Sequence, residues 1–172
     1  IRTAAFHGKF IEFLSCINEN KQWRTIFGTK NSRLKDQELL LRFFALFYSG
    51  DAYEKPMKEF LNKFIMRYRD PEEKILAGME ALFSATIGIV FEAFGAKAFR
   101  IDRALNAAVF DSVMVAVAKI ASASALPDYA SLRSKYALLL KDERYVACVT
   151  QSTSDVQNVN DRIDIATKYM SA

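Results

Sequence analysis

The chain has 172 residues, 51% apolar and 26% charged, the size and composition of one ordinary folded domain rather than a disordered segment. Two cysteines, Cys16 and Cys148, exclude a disulfide scaffold and multi-cysteine zinc sites, and the lone His7 excludes histidine-rich metal centres and argues against a histidine-based triad. The net charge of +4 is uneven: residues 1–70 hold 13 Lys/Arg against 8 Asp/Glu and residues 71–172 hold 11 against 12, which points to an anionic partner near the first half.

The apolar spacing predicts helices throughout. Phe6, Phe10, Leu14 and Ile17 recur at helical intervals over 2–17, with Gly8 a point where the segment divides in two. A short helix over 21–27 is closed by Gly28 as a left-handed C′ residue. The next segment, 34–48, is apolar on nearly every side, from Leu39 to Tyr48, which places it in the middle of a bundle, and Gly50 ends it. Met57, Phe60, Leu61, Phe64, Ile65 and Tyr68 form one stripe over 56–68. Asp70-Pro71-Glu72-Glu73 reads as N-cap, first-turn proline and acidic first turn of a helix over 72–94 that stops at Gly95. Gly78 and Gly88, with Ala77, Ala81 and Ala85, suggest that this helix approaches another closely.

Asn106 caps a helix through Val109, Val113, Met114, Val117 and Ile120; its β-branched residues make a buried strand the competing reading, and its length favours helix. Asp128 caps a segment over 129–140, a short helix follows over 143–149, and Ser154 caps the last helix, through Val156, Val159, Ile163, Ala166 and Met170. No strand alternation, hairpin dipeptide, repeat or low-complexity stretch is present. The fold class is therefore all-α, a single bundle of eight or nine helices over 1–172.

The longest charge-free apolar run, from Ala81 to Phe91, has 11 residues. A bilayer span needs roughly 20, so no membrane helix and no membrane partner are expected. The chain begins at Ile1 and reads as a piece of a longer protein, and its sparse cysteines fit a cytoplasmic setting.

The chemistry-bearing residues each have a structural and a functional reading. His7 lacks a companion ligand and reads as solvated or capping. Cys16 and Cys148 sit among apolar neighbours and read as core. The six glycines are scattered, which excludes a phosphate-cradling loop, and Glu72-Glu73 and Asp142-Glu143 fall at helix starts, where acids belong without any catalytic role. Lys55, Lys58, Lys63, Arg67 and Arg69 make the polar side of the fourth segment a candidate duplex-DNA contact, with an ordinary solvated face as the favoured alternative. The densest pattern is the run Arg33-Leu34-Lys35-Asp36-Gln37-Glu38-Leu39-Leu40-Leu41-Arg42. There Arg42, set in an apolar helix, needs a partner, and Glu38 at i−4 or Asp36 is the nearest candidate. Arg33, Asp36, Glu38 and Arg42 thus form either a charge pair fixing the helix or a polar latch to another domain.

That run resembles the signature of the GmrS-like bacterial anti-phage restriction proteins. Further similar stretches follow in the family's order: Ile1-Arg2-Thr3-Ala4 with Gly8, Trp23-Arg24-Thr25-Ile26-Phe27-Gly28, Pro56-Met57-Lys58-Glu59-Phe60-Leu61-Asn62, Ala107-Ala108-Val109-Phe110-Asp111 and Arg162-Ile163-Asp164-Ile165-Ala166. The resemblance implies the helical region that follows an N-terminal ParB/sulfiredoxin-like NTPase and nuclease domain. The family's Asp-Gly-Gln-Gln-Arg-like nucleotide loop and its HNH-type nuclease domain are not in this sequence. On this reading the chain has no catalytic residue, cofactor or metal of its own. Its partners are its own NTPase/nuclease domain, duplex DNA and an HNH-type domain or subunit. The alternative is an all-α protein–protein interaction module with no nucleic-acid role.

Overall fold

A computed structural model describes residues 7–31, 33–123 and 126–171. Among these residues there are nine α-helices: α1 (Lys9–Ile17), α2 (Lys21–Phe27), α3 (Lys35–Ser49), α4 (Met57–Arg67), α5 (Glu73–Phe94), α6 (Ala107–Ser122), α7 (Tyr129–Leu139), α8 (Glu143–Thr150) and α9 (Val156–Ser171). No strand accompanies them among the described residues; the sole β feature there is an isolated bridge between Arg100 and Leu105. The part of the first predicted segment before His7 lies outside the described residues.

Local chemistry sets the helix starts, in some cases not the chemistry expected. Asn20, Asn106, Asp128 and Asp142 each accept backbone N–H groups from the first turn of the helix they precede. Asp70 does not cap α5. Its carboxylate accepts the Lys9 N–H at 3.1 Å while the Arg69 carbonyl accepts the Phe10 N–H at 3.2 Å, so the chain before α5 caps α1 across the fold. This contact requires Gly8, whose φ is 143° and where a Cβ would lie 2.6 Å from the Arg69 carbonyl oxygen. Helix α5 accordingly starts two residues later than the Asp-Pro signal suggests, with no side-chain cap. At α9 the acceptor is Asp155, which takes the Gln157 N–H at 3.0 Å, and not Ser154. A carboxylate is the stronger acceptor at the positive end of a helix. Gly28 has positive φ (98°) with an extended ψ, so it ends α2 outside the left-handed helical well. Gly50 has ordinary helical angles and leads into a 3-10 turn, Gly50–Ala52.

The centre of the bundle is α6, not α3. Every residue from Ala108 to Ala118 is buried, and α6 packs on α3, α5, α8 and above all α9. The β-branched residues of this segment thus build a helix that is buried along most of its length. Rings join the first half to this core: Phe110 meets Trp23 at 5.3 Å and, edge-on, Phe99 at 4.9 Å, while Phe10 of α1 meets Phe44 of α3 and Phe64 of α4.

Helix α5 departs from expectation twice. Four of its small residues do not seat another helix: Ala77, Gly78, Ala81 and Ala85 are exposed, and only Gly88 of the set faces one, since a Cβ there would lie 3.6 Å from the Gln22 amide of α2, an ordinary contact. Moreover, Glu73–Lys97 is, by length and composition, long and apolar enough to cross a membrane, and only 28% of its apolar window is buried. Glu80 and Glu92 interrupt the sequence there, so the length of the charge-free run understates how apolar the helix is. Met79, Phe83, Ile87 and Val90 point into the bundle; Ile75 is among the residues left outside.

Candidate functional site

Three helices meet around one carboxylate. Asp111, from the second turn of α6, is fully buried. Arg42 of α3 donates to it through both Nε (3.0 Å to Oδ1) and Nη2, in a bidentate pair. From α9, the fully buried Arg162 donates Nη2 to Asp111 Oδ2 at 2.9 Å and Nη1 to the Thr153 carbonyl at 2.6 Å, leaving its Nε without a partner among the described residues. Burial works against the charge on Arg42, but the Asp111 charge and hydrogen bonds, with Glu38 adding attraction through space, more than offset it and raise its pKa above the ordinary arginine value. Beside the cluster, Tyr53 donates its hydroxyl to the Ser154 carbonyl at 2.7 Å.

The partner of Arg42 therefore comes from 69 residues away, not from Asp36. Asp36 is the hub of a second network. Its Oδ2 accepts from Asn18 at 3.0 Å and from Arg24 at 2.9 Å, and Asn18 in turn accepts the Trp23 indole N–H at 2.9 Å. Arg33 is exposed, and its backbone N–H closes a turn on Asn31. The four predicted latch residues thus divide: Asp36 ties α3 to α1 and α2, Arg42 ties α3 to α6, Glu38 supports Arg42 electrostatically, and Arg33 faces solvent.

Desolvation alone would raise the Asp36 pKa, but the donors Asn18, Arg24 and the Gln37 and Asn31 amides outweigh it and hold the carboxyl below its ordinary value. A depressed folded pKa adds stability that is complete above the unfolded value of about 3.9 and disappears as pH falls through the folded value. Asp36→Asn is expected to be destabilised at neutral pH and to converge on the parent protein as the solution is acidified below about pH 4. Urea denaturation across that range checks this, and parallel curves for the two proteins would refute it.

The predicted basic face is present but partly spoken for. Lys55 pairs with Asp155 at 3.4 Å, Lys63 with Glu54 at 3.6 Å, and Arg69 with Asp70 at 3.7 Å while also donating to the His7 carbonyl. Arg67 lies over the Tyr68 ring, 5.6 Å from its centroid. Lys58 makes no ion pair among the described residues. Lys63 and Arg67 share one side of α4 and border a shallow cleft with Phe60 and Phe64. Of the cysteines, Cys148 is buried as expected, whereas Cys16 is exposed, because α1 turns Phe13, Leu14 and Ile17 inward instead.

Sequence reasoning missed Asp111 and Arg162 as site residues. The available signal was a lone acid in the apolar run of α6, which demands a cation for the same reason that Arg42 demands an anion. Among the described residues no three His, Cys, Asp or Glu side chains gather as a metal site. No family model, no curated protein and no solved structure matches the chain.

Proposed function

We propose that this chain is a helical accessory domain of a GmrS-like anti-phage restriction protein, packing on the NTPase/nuclease domain that the resemblance implies, contributing to DNA binding or coupling, and carrying out no catalysis itself. One observation carries the reading. Arg42, Asp111 and Arg162 come from three separate stretches that bear the resemblance, and they meet in one buried cluster. Those stretches therefore share a physical role, which is to fix the mutual placement of α3, α6 and α9. The outward side of α5, with Ile75 and its exposed alanines, offers a broad surface against which a neighbouring domain can pack. In this reading the parent protein is cytoplasmic, and its nucleotide hydrolysis and DNA cleavage reside elsewhere.

A second reading, a protein interaction module with no nucleic-acid role, is favoured by the carboxylates that occupy Lys55, Lys63 and Arg69. Titration with duplex DNA at several salt concentrations separates the two. A DNA-contacting domain binds at low salt with a slope that falls when Lys58, Lys63 and Arg67 become alanine; an interaction module does not bind. Nucleotide hydrolysis or DNA cleavage by the purified chain would overturn both.

A further inference from the structure

A cleft lies away from the basic helix, in the half of the chain with no net positive charge. It encloses about 540 Å³ between α7, the start of α8 and the second half of α9. Leu138, 58% exposed, stands at its edge, with Ile165 and Tyr169 as further apolar lining. A leucine this exposed beside an apolar groove invites a partner side chain.

The charges around the groove are not balanced. Asp142 stays anionic but is held from within, one oxygen by the Tyr145 N–H at 2.8 Å and the other by the Tyr169 hydroxyl at 2.8 Å, so it offsets one positive charge of the lining. Arg144 is taken up by Asp161 at 2.9 Å. Lys135 from α7 and Lys168 from α9 line the cleft from two different helices, and neither forms an ion pair among the described residues. Glu143 opens α8 outside the lining, and Asp164, one turn before Lys168, borders a different cleft.

We infer that this groove docks a short acidic peptide segment of a partner protein, an aliphatic or aromatic anchor seated beside Leu138 and carboxylates on Lys135 and Lys168. Two ammonium groups on separate helices call for more than one carboxylate on the occupant. A fatty acid, with one carboxylate at the end of its chain, satisfies only one of them. The inference goes beyond the proposed function and does not depend on the family resemblance.

The test is a fluorescence-anisotropy titration of the whole chain with a labelled peptide, Glu-Asp-Leu-Phe-Asp-Glu. Saturable binding is expected, weakened about tenfold or more by Leu138→Asp and by Lys135→Glu with Lys168→Glu. Lys58→Glu with Lys63→Glu is expected to leave it unchanged. All these side chains except Lys135 are exposed, and matching thermal melts verify that the variants remain folded. Absence of binding, binding insensitive to the groove variants, binding lost with the α4 pair, or binding of dodecanoate but not of the peptide each overturns the inference.

Discussion

Replacing Asp111 with alanine is expected to lower the unfolding free energy by about 3–5 kcal/mol, seen as a lower urea midpoint at unchanged slope. The size follows from what remains. Arg162 is fully buried and would keep only the Thr153 carbonyl, and Arg42, also largely enclosed, would lose both acceptors at once. Two guanidinium groups would then face each other without the carboxylate between them. Arg162→Met should cost less, since Asp111 keeps its bidentate partner. Replacing all three residues together, Asp111→Leu with Arg42→Met and Arg162→Met, is expected to recover most of the loss, because the desolvation cost disappears with the charges. If Asp111→Ala costs less than about 1 kcal/mol, the cluster behaves like a surface ion pair, and its assignment as the fastener of α3, α6 and α9 fails.

That cluster also shows where sequence reading stops. Helix identities were legible because the apolar spacing is strong: α3, α4, α7 and α9 fall within a residue or two of their predicted bounds. Caps were legible where the acceptor serves its own helix, as at Asn106 and Asp128. They were not legible where a residue serves a distant helix. Asp70 stands before Pro71 in a typical N-cap setting, yet its oxygen binds the first N–H of α1, a contact set by how the chain folds back rather than by neighbours in sequence.

The same distinction governs the charged residues. That Arg42 needs an anion follows from its apolar surroundings, but local spacing could offer only Glu38 or Asp36, and the actual acceptor lies on another helix. Asp36, nearly two turns earlier, faces α1 and α2 instead and finds Asn18 and Arg24. Outward faces are harder still. The small residues of α5 suggested a close helix pair, but Ala77, Ala81 and Ala85 are exposed and the larger Met79, Phe83 and Ile87 make the contacts. A stripe of small side chains permits close approach without requiring a partner. Likewise, the uneven charge points to the first half, where three cations of the basic face pair with carboxylates, whereas two lysines without ion pairs among the described residues frame the groove of the second half.

Phe110→Ala is expected to destabilise the protein by about 3–5 kcal/mol, lowering the melting temperature by roughly 10 °C. Phe110 projects from the central helix, is fully buried and packs against Trp23 of α2 and Phe99 of the segment before α6. The loss therefore has two parts, the transfer of the ring's apolar surface and the void that the surrounding helices can only partly fill. The void would be lined by Trp23 and Phe99 rings, and an apolar cavity of benzene size stays dry. Trp23 is the chain's single tryptophan and is itself fully buried, so its emission reports on that void directly. It should remain blue in the native variant while stability falls. A red-shifted native emission would mean that water enters and that α2 detaches from α6. A loss below about 1 kcal/mol would mean that the core closes over the missing ring, and that α2 is held to the bundle by the Asn18, Trp23 and Asp36 hydrogen bonds instead of by these ring contacts.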